Sequence, residues 1–252
     1  MNPFPRSVLA SIFRRSESFL RNPDILGRRA LDKRLLKSYE TLNHQAETYI
    51  EEVGLKTLLV SGRATEISPI YIDLYIIHQL LRTYKPKVVV ELGIGFSTLT
   101  MAHALEMNGE GELYSVEANE YWLQNTKRKL PKDLAMRTNL IHSTVHCHML
   151  NGQFCSLYDN LPNVSPNFIY VDAPHGSDVL GTVNGLTFNI AGGPRQPVAA
   201  DPLLYESTAQ KDSFFILVDG RARNAEFLRA NLKGRYRYHQ STVLKQTYFE
   251  RI

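Results

Sequence analysis

Acidic residues stand at the ends of four short apolar runs in this chain of 252 residues. The four acids are Glu91, Glu117, Asp172 and Asp219. Apolar runs of this length, rich in β-branched and aromatic residues, are typical of strands buried in a parallel sheet. Open α/β sheets bind ligands at the carboxyl ends of their strands, so the sequence predicts a ligand site that contains several carboxylates.

Glycines follow the first of these runs. Gly93 and Gly95 permit a tight turn and let a ligand approach the main chain, and residues 97–105 have the composition of a helix. The pattern therefore predicts a nucleotide-type binding loop between a strand and a helix. A dinucleotide fingerprint would need a third glycine where Thr98 stands, so we expect a different ligand.

A carboxylate at the strand end, two glycines and a second acid at the end of the next strand resemble the pattern of class I S-adenosylmethionine (SAM) dependent methyltransferases. Here the two acids are Glu91 and Glu117. A carboxylate in the position of Glu117 can accept hydrogen bonds from both ribose hydroxyls of a nucleoside. Two alternatives stay open, namely another Rossmann-like nucleotide binder and an ordinary buried strand with a glycine turn and surface acids.

The resemblance implies a set of residues that contact SAM. They come from the glycine loop, from the ends of the second and third strands near the ribose and adenine, and from the end of the fourth strand. The set is Glu91, Gly93, Gly95, Ser97, Thr98, Glu117, Ala118, Ser143, Thr144 and Asp172.

The ends of the fourth and fifth predicted strands resemble the small-molecule O-methyltransferases of the catechol and caffeoyl-coenzyme-A type. In that subgroup the acids equivalent to Asp172 and Asp219 hold a divalent ion that binds the acceptor oxygen. A second metal ligand, often Asn, usually follows the fifth-strand acid, whereas Gly220 stands here. Because a magnesium ion prefers several oxygen ligands, a metal at Asp172 and Asp219 is an open alternative rather than an expectation.

The same resemblance implies the catalytic residues. The subgroup carries a lysine that acts as general base three residues after the fourth-strand acid, and this chain has His175 there. Imidazole can take a proton from a hydroxyl group near neutral pH, so we expect His175 and Asp172 to be catalytic. The alternatives are that Asp172 caps a turn or contacts the SAM amino group, and that His175 bonds to the main chain of a turn.

The predicted fold is a Rossmann-like α/β three-layer sandwich with a mostly parallel sheet. Residues 235–252 alternate well enough to form an antiparallel closing hairpin, which also marks the resembled fold. We expect a helical extension or cap over residues 1–66 and the methyltransferase domain over residues 67–252. The length would also suit two small domains.

Three segments are expected to border the site. Ser68 and Pro69 predict the N-cap and first turn of a helix, in which Ile70, Leu74, Ile77 and Leu81 recur at helical spacing. By resemblance, residues 62–67 would form a closing loop over the cofactor. Residues 176–212 are rich in Gly, Pro and Asn, so we expect an irregular acceptor-binding loop.

Histidines are concentrated after the third predicted strand. His142, His146 and His148 would share one face if this stretch is a single strand, because side chains alternate with period two. That face could hold a metal, but the thiol of Cys147 would point away, so we favour ordinary packed or exposed histidines.

Composition is that of a globular protein, with 43% hydrophobic and 21% charged residues. No apolar run has the length needed to span a bilayer. Two cysteines imply no disulfide framework, so we expect a reducing cytoplasm.

The positive charge is concentrated at one end of the chain. Residues 1–38 have a net charge of +6 and the remainder −2, which argues against a nucleic-acid partner for the folded domain. Residues 1–22 combine arginines with apolar residues and could contact an anionic membrane surface. We favour instead a surface helix packed on the domain.

These features predict transfer of the SAM methyl group to a hydroxyl of a small-molecule or sugar-like acceptor. N-methyltransferases usually carry Asn or Asp before Pro-Pro-Tyr at the fourth strand, and residues 172–175 match this poorly. The remaining alternatives are an aminopropyl transferase that uses decarboxylated SAM, and a non-catalytic SAM-binding or membrane-associated protein. The sequence does not identify the acceptor or the oligomeric state.

Overall fold

The structure is a computed structural model that describes most of the chain. The described residues are 25–60, 68–172, 174–191, 193–209, 214–241 and 244–252, with side chains from Tyr39 onward except that of Pro194. The predicted membrane-contacting segment 1–22 and the predicted closing loop 62–67 lie outside these ranges.

Seven strands form the central sheet. Their spatial order is β11 (Tyr236–Ser241), β12 (Gln246–Arg251), β10 (Phe215–Asp219), β6 (Phe168–Val171), β1 (Val88–Leu92), β2 (Glu112–Glu117) and β3 (Thr138–His142). Strand β12 is antiparallel to both of its neighbours, and the other pairs are parallel. This arrangement confirms the predicted fold class, including the closing hairpin.

Helices cover both faces of the sheet. They are α1 (Ile25–Glu52), α2 (Leu55–Val60), α3 (Tyr71–Tyr84), α4 (Phe96–Asn108), α5 (Glu120–Lys129), α6 (Lys132–Ala135), α7 (Asp201–Glu206) and α8 (Ala222–Asn231). Val89 belongs to the core under α1 to α4, whereas Val90 and Leu92 belong to the core under α7 and α8. Strand β1 is therefore buried on both faces, which explains why all of its residues except Glu91 are apolar.

The first four helices share one core with the sheet. Ala46 and Ile50 of α1 and Leu55 and Leu59 of α2 are buried in the same cluster as Ile77 of α3. The domain boundary near residue 66 stays a prediction. Within the described ranges, no helix has both the length and the apolar character needed to cross a bilayer.

Helix α3 begins later than Ser68 and Pro69 indicated. Its first residue is Tyr71, and Ile70 occupies the N-cap without a capping side chain. Asn43 of α1 instead accepts a hydrogen bond from the Ile72 amide at 3.1 Å. The predicted N-cap at Ser68 is wrong because a distant side chain caps the first turn.

A second, three-stranded sheet has the order β5 (Gln153–Tyr158), β4 (Val145–Leu150) and β7 (Val179–Leu180). The condition under which His142, His146 and His148 would share one face, a single strand, is not met. Strand β3 ends at His142, and His146 and His148 lie in β4 of the other sheet.

The segment 176–212 is more ordered than its composition suggested. It contains β7, the small hairpin of β8 (Asn189–Ile190) and β9 (Gly193–Pro194), and helix α7. Phe188 stacks on Phe154 of β5 with ring centroids 4.3 Å apart. Parts of this segment therefore pack on the second sheet, and among its described residues Asp178, near its beginning, reaches the site described below.

Candidate active site

A cleft of about 370 Å³ opens at the carboxyl ends of β1, β2, β6 and β10. Parallel strands bring these ends to one edge, so residues far apart in sequence meet there. Its walls come from the glycine loop after β1, the strand ends, the start of α3 and one side of α5. This is the edge at which the sequence predicted the site.

The glycine loop forms one wall of the cleft. Gly93 has φ of +97°, a conformation that residues with a Cβ rarely adopt, and its amide donates to the Val116 carbonyl at 2.9 Å. Gly95 is extended, and a Cβ there would meet no atom within 4 Å. The loop thus exposes main chain to the cleft just before the N-terminus of α4, where helical N–H groups can bind negatively charged ligand groups.

Glu91 holds this loop from beneath. Its side chain is fully buried and accepts hydrogen bonds from the hydroxyls of Ser97 at 2.5 Å, Thr98 at 2.7 Å and Ser115 at 2.6 Å. Burial raises the pKa of Glu91 to about 8, although the three hydroxyls oppose that shift. Glu91 therefore orients the loop and does not line the cleft.

Glu117 lies at the wall of the cleft, at the end of β2. Its Oε2 accepts from the Ile94 amide at 2.9 Å, and its Oε1 accepts from the Asn119 amide at 2.8 Å. Burial raises its pKa, and these main-chain hydrogen bonds oppose the shift. Because each carboxylate oxygen has more than one lone pair, Glu117 can still accept hydrogen bonds from a ligand.

A group of three aspartates occupies the part of the cleft near α3. Asp172 follows β6 and Asp219 ends β10, as predicted, and Asp73 of α3 joins them. Tyr170 donates its hydroxyl to Asp219 Oδ2 at 2.8 Å, and Gln246 Nε2 donates to Asp73 Oδ1 at 3.3 Å. The aspartates therefore already have protein partners.

The three carboxyls disfavour one another's ionisation. Burial, and secondly the charge of Asp219, raise the pKa of Asp73 to about 8 and that of Asp172 to about 7. The Asp172 side chain keeps 52% of its surface exposed because it opens onto the cleft, but protein surrounds it on the other sides. This part of the cleft consequently holds carboxyls that exchange protons near neutral pH.

Arg221 lies against the same group. It is 9% exposed and its Nη2 donates to the Asp172 carbonyl at 2.7 Å, while its Nη1 donates to the Pro174 carbonyl at 3.1 Å. Its Nε lies 3.5 Å from Asp172 Oδ1. The guanidinium thus supplies positive charge beside Asp172.

The residues around Asp172 and Asp219 do not fit a divalent metal site. Asp172 faces a fixed cation, and Asp219 accepts a hydrogen bond from the Tyr170 hydroxyl. Gly220 offers no side-chain oxygen. In the part of the chain that the structure describes, no three His, Cys, Asp or Glu residues are grouped to hold an ion.

His175 lies at the rim of the cleft with its ring exposed. Its Nδ1 is 2.8 Å from the Ser177 hydroxyl, and the Ser177 amide donates to the same nitrogen at 3.4 Å. The turn-histidine alternative is therefore an accurate description of its contacts. The ring nevertheless leaves Nε2 directed away from this turn, because the two nitrogens lie on different sides of imidazole.

The structure brings together part of the predicted SAM-contacting set. Gly93, Gly95, Ser97, Glu117 and Asp172 line the cleft, with His175 and Asp219. The predicted contacts that do not line it are Glu91, Thr98, Ala118, Ser143 and Thr144. Ser143 Oγ accepts from the Asn160 amide at 2.8 Å, and Thr144 donates to Asp159 at 2.5 Å.

Several cleft residues were not identified from the sequence. They are Asp73, Trp122, Asn125, Thr126, Lys129, Tyr170 and Arg221. The residues on α5 could have been found from helical spacing, because positions 122, 125, 126 and 129 fall on one face of a helix that starts after Glu117. Asp73 has no such signal, since it reaches the cleft through the packing of α3.

A comparison with known protein families identifies the same region of the chain. Residues 90–187 match a family model described as a methyltransferase domain. The match confirms the predicted resemblance to SAM-dependent methyltransferases and the predicted enzyme class. No curated protein matches the chain.

Solved structures with a similar fold include three methyltransferases. An SAH-bound methyltransferase of Podospora anserina is 14% identical, with 100% of this chain and 98% of that chain covered and a TM-score of 0.46. The O-methyltransferase TomG of Streptomyces achromogenes, in complex with SAM, is 14% identical with 96% of each chain covered and a TM-score of 0.44. An O-methyltransferase of Bacillus cereus, in complex with SAH, is 13% identical, with 96% and 97% covered and a TM-score of 0.45. At these scores the three structures add no argument of their own.

Proposed function

We propose that this protein binds SAM in the cleft and transfers its methyl group to a hydroxyl oxygen of a small-molecule or sugar-like acceptor. The observation that carries the proposal is the position of Glu117 beside the loop of Gly93 and Gly95, within the stretch that matches the methyltransferase domain. Bound SAM supplies a methyl group already activated by its positive sulfur, so the protein has to bind, orient and deprotonate.

The cleft residues suit the parts of SAM. Glu117 is held by two main-chain amides, so its carboxylate is already placed to accept hydrogen bonds from ribose hydroxyls. The exposed main chain at Gly95 and the first turn of α4 suit the carboxylate of the methionine part. Asp172, at the end of β6, would accept from its ammonium group or from the acceptor.

His175 is the proposed general base, and its hydrogen bonds define the tautomer that this role needs. The nitrogen that takes the proton must have a free lone pair, and Nδ1 is engaged by Ser177. Nε2 can act as the base when Nδ1 carries the hydrogen and donates it to Ser177 Oγ at 2.8 Å, and in that tautomer the longer 3.4 Å contact from the Ser177 amide is given up. Ser177 then orients the ring and stabilises the imidazolium that forms, while a general base contributes about 10²- to 10⁴-fold to the rate.

Calorimetric titration with SAM and SAH tests the cofactor assignment. The chain should bind both ligands, and Glu117→Ala should bind them about 10- to 100-fold more weakly, the loss expected for hydrogen bonds to a charged group. Glu112→Ala is the matched control, because Glu112 begins the same strand with an exposed side chain that contacts Tyr114.

Either of two results would contradict the assignment. Absence of binding by the unaltered chain would remove SAM as the cofactor. Equal losses in Glu117→Ala and Glu112→Ala would mean that Glu117 acts only through the stability of the strand. Transfer of labelled methyl groups from SAM to a panel of hydroxylated compounds then tests the acceptor class.

A further inference from the structure

One buried guanidinium group joins the segments that follow β6 and β10. Arg221 donates to the carbonyl oxygens of Asp172 and Pro174 and faces the carboxylate of Asp172 at 3.5 Å. These contacts use the planar, multidentate geometry of arginine, which lysine does not reproduce. Arg221 therefore places positive charge beside Asp172 and holds two main-chain carbonyls that shortly precede His175.

The position of this positive charge is the important feature. Acids at the ends of these two strands could serve as ligands of a divalent ion, but here the guanidinium faces one of them and is permanently charged. A magnesium ion at Asp172 would lie close to Arg221, and two cations at such a distance repel each other strongly in a partly buried site. Asp219 is in turn engaged by the hydroxyl of Tyr170.

We propose that Arg221 acts in place of a divalent metal, as a positioning residue that neutralises Asp172 and holds the main-chain carbonyls of Asp172 and Pro174 that precede His175, so that methyl transfer by this protein is metal-independent. The inference rests on the proposed function for its catalytic consequence. The exclusion of a divalent ion from Asp172 does not depend on catalysis, because it follows only from the groups around that carboxylate.

Manganese binding to the full-length chain provides the direct test, since Mn²⁺ prefers the same oxygen ligands as Mg²⁺ and is detected by electron paramagnetic resonance. The weakest dedicated protein sites for hard divalent ions have Kd values of about 1 mM. The unaltered chain should bind no Mn²⁺ at concentrations up to about 1 mM. The proposal would be overturned if the unaltered chain bound Mn²⁺ below about 1 mM and Asp172→Asn did not.

Substitution of Arg221 separates its two roles. Arg221→Lys keeps a positive charge but loses the planar guanidinium that donates to two carbonyls at once, so it should still exclude Mn²⁺. Its kcat should fall about 10- to 100-fold because His175 is misplaced, while its affinity for SAH should change little. Arg221→Gln should be the variant that binds Mn²⁺. Arg223→Gln is the control, because Arg223 is exposed on α8, and it should resemble the unaltered chain.

Chelation gives a second, catalytic measurement. Methyl transfer should be unchanged after dialysis against EDTA. Loss of activity that magnesium restores would overturn metal independence but leave the proposed methyl transfer intact, whereas failure to bind SAH would remove the proposed function itself. A kcat for Arg221→Lys equal to that of the unaltered chain would remove the positioning role, even if Arg221→Gln fails to fold.

Discussion

The Ser115 hydroxyl donates a hydrogen bond to Glu91 Oε2 at 2.6 Å, which links the side chains of two neighbouring parallel strands beneath the glycine loop. Ser97 and Thr98, at the start of α4, donate to the same carboxyl group. One buried acid therefore connects β1, β2 and α4 at the point where the loop turns. The conformation of the loop depends on this group even though no ligand can reach it from the cleft.

Replacing Glu91 should destabilise the protein, and the size of the effect should depend on whether the hydroxyls of Ser97, Thr98 and Ser115 keep a hydrogen-bond acceptor. Glu91→Ala leaves them without their acceptor in a buried site, so the free energy of unfolding should fall by about 3 to 5 kcal/mol. Glu91→Gln keeps an acceptor oxygen and the volume, so its loss should be about half as large. Urea denaturation at pH 7 measures both, and Glu91→Ala unfolding at the same midpoint as the unaltered chain would contradict this account.

The buried pair of His78 and His103 should make the protein sensitive to acid. Tyr49 bonds to His78 Nδ1 at 2.9 Å, and His78 Nε2 lies 3.1 Å from His103 Nδ1. Burial, and secondly the neighbouring His103, lower the pKa of His78 from 6.5 to about 3. The unfolded state therefore binds more protons than the folded state between these values, and the stabilisation present above pH 6.5 is lost as the pH falls.

The variant His78→Gln should remove that dependence, because an amide can accept from Tyr49 and donate to His103 without titrating. The difference in unfolding free energy between the unaltered chain and His78→Gln should shrink by about 1.4 kcal/mol per pH unit as the pH falls from about 6.5 to 5. His44→Gln, at an exposed position of α1, is the control. A constant difference across this range would show that His78 does not titrate as described.

His175 and Ser177 should affect turnover and leave cofactor binding unchanged. Once an acceptor is known, His175→Ala should lower kcat by about 10²- to 10⁴-fold with little change in SAH affinity. Ser177→Ala removes the hydroxyl that accepts from Nδ1 and should lower kcat by a smaller factor. His148→Ala, at an exposed position of β4, is the matched control. Normal methylation by His175→Ala would remove the general-base assignment.

The fold was largely predictable because its strands carry their own signal. Residues 88–92 are apolar on both faces apart from Glu91, and the closing hairpin alternates as expected. The β4–β5 hairpin was missed although a signal exists, since Asn151 and Gly152 both have positive φ and form the two-residue turn that an Asn-Gly pair favours. The residues before this turn were considered only together with the third predicted strand, and no separate hairpin was predicted there.

The site was predictable only where it depends on strand ends. Glu117, Asp172 and Asp219 reach the cleft because the carboxyl ends of parallel strands meet at one edge. Asp73 and Gln246 meet across 173 positions of sequence, and Arg221 finds the carbonyl of Asp172 across 49. Local sequence patterns do not indicate pairs that are so far apart in the chain. Which charged groups meet in the cleft can therefore be seen only in the folded structure.

The place of β12 in the sheet has a consequence for biosynthesis. This strand lies between β10 and β11, although both precede it in the chain, and Gln246 at its start contacts Asp73. A growing polypeptide that has not yet reached residue 246 lacks one of the two partner strands of β10 and one side of the aspartate group. We therefore expect a ribosome-bound chain to complete the cleft late, after most of its sheet has been synthesised, and to gain affinity for SAM only at that stage.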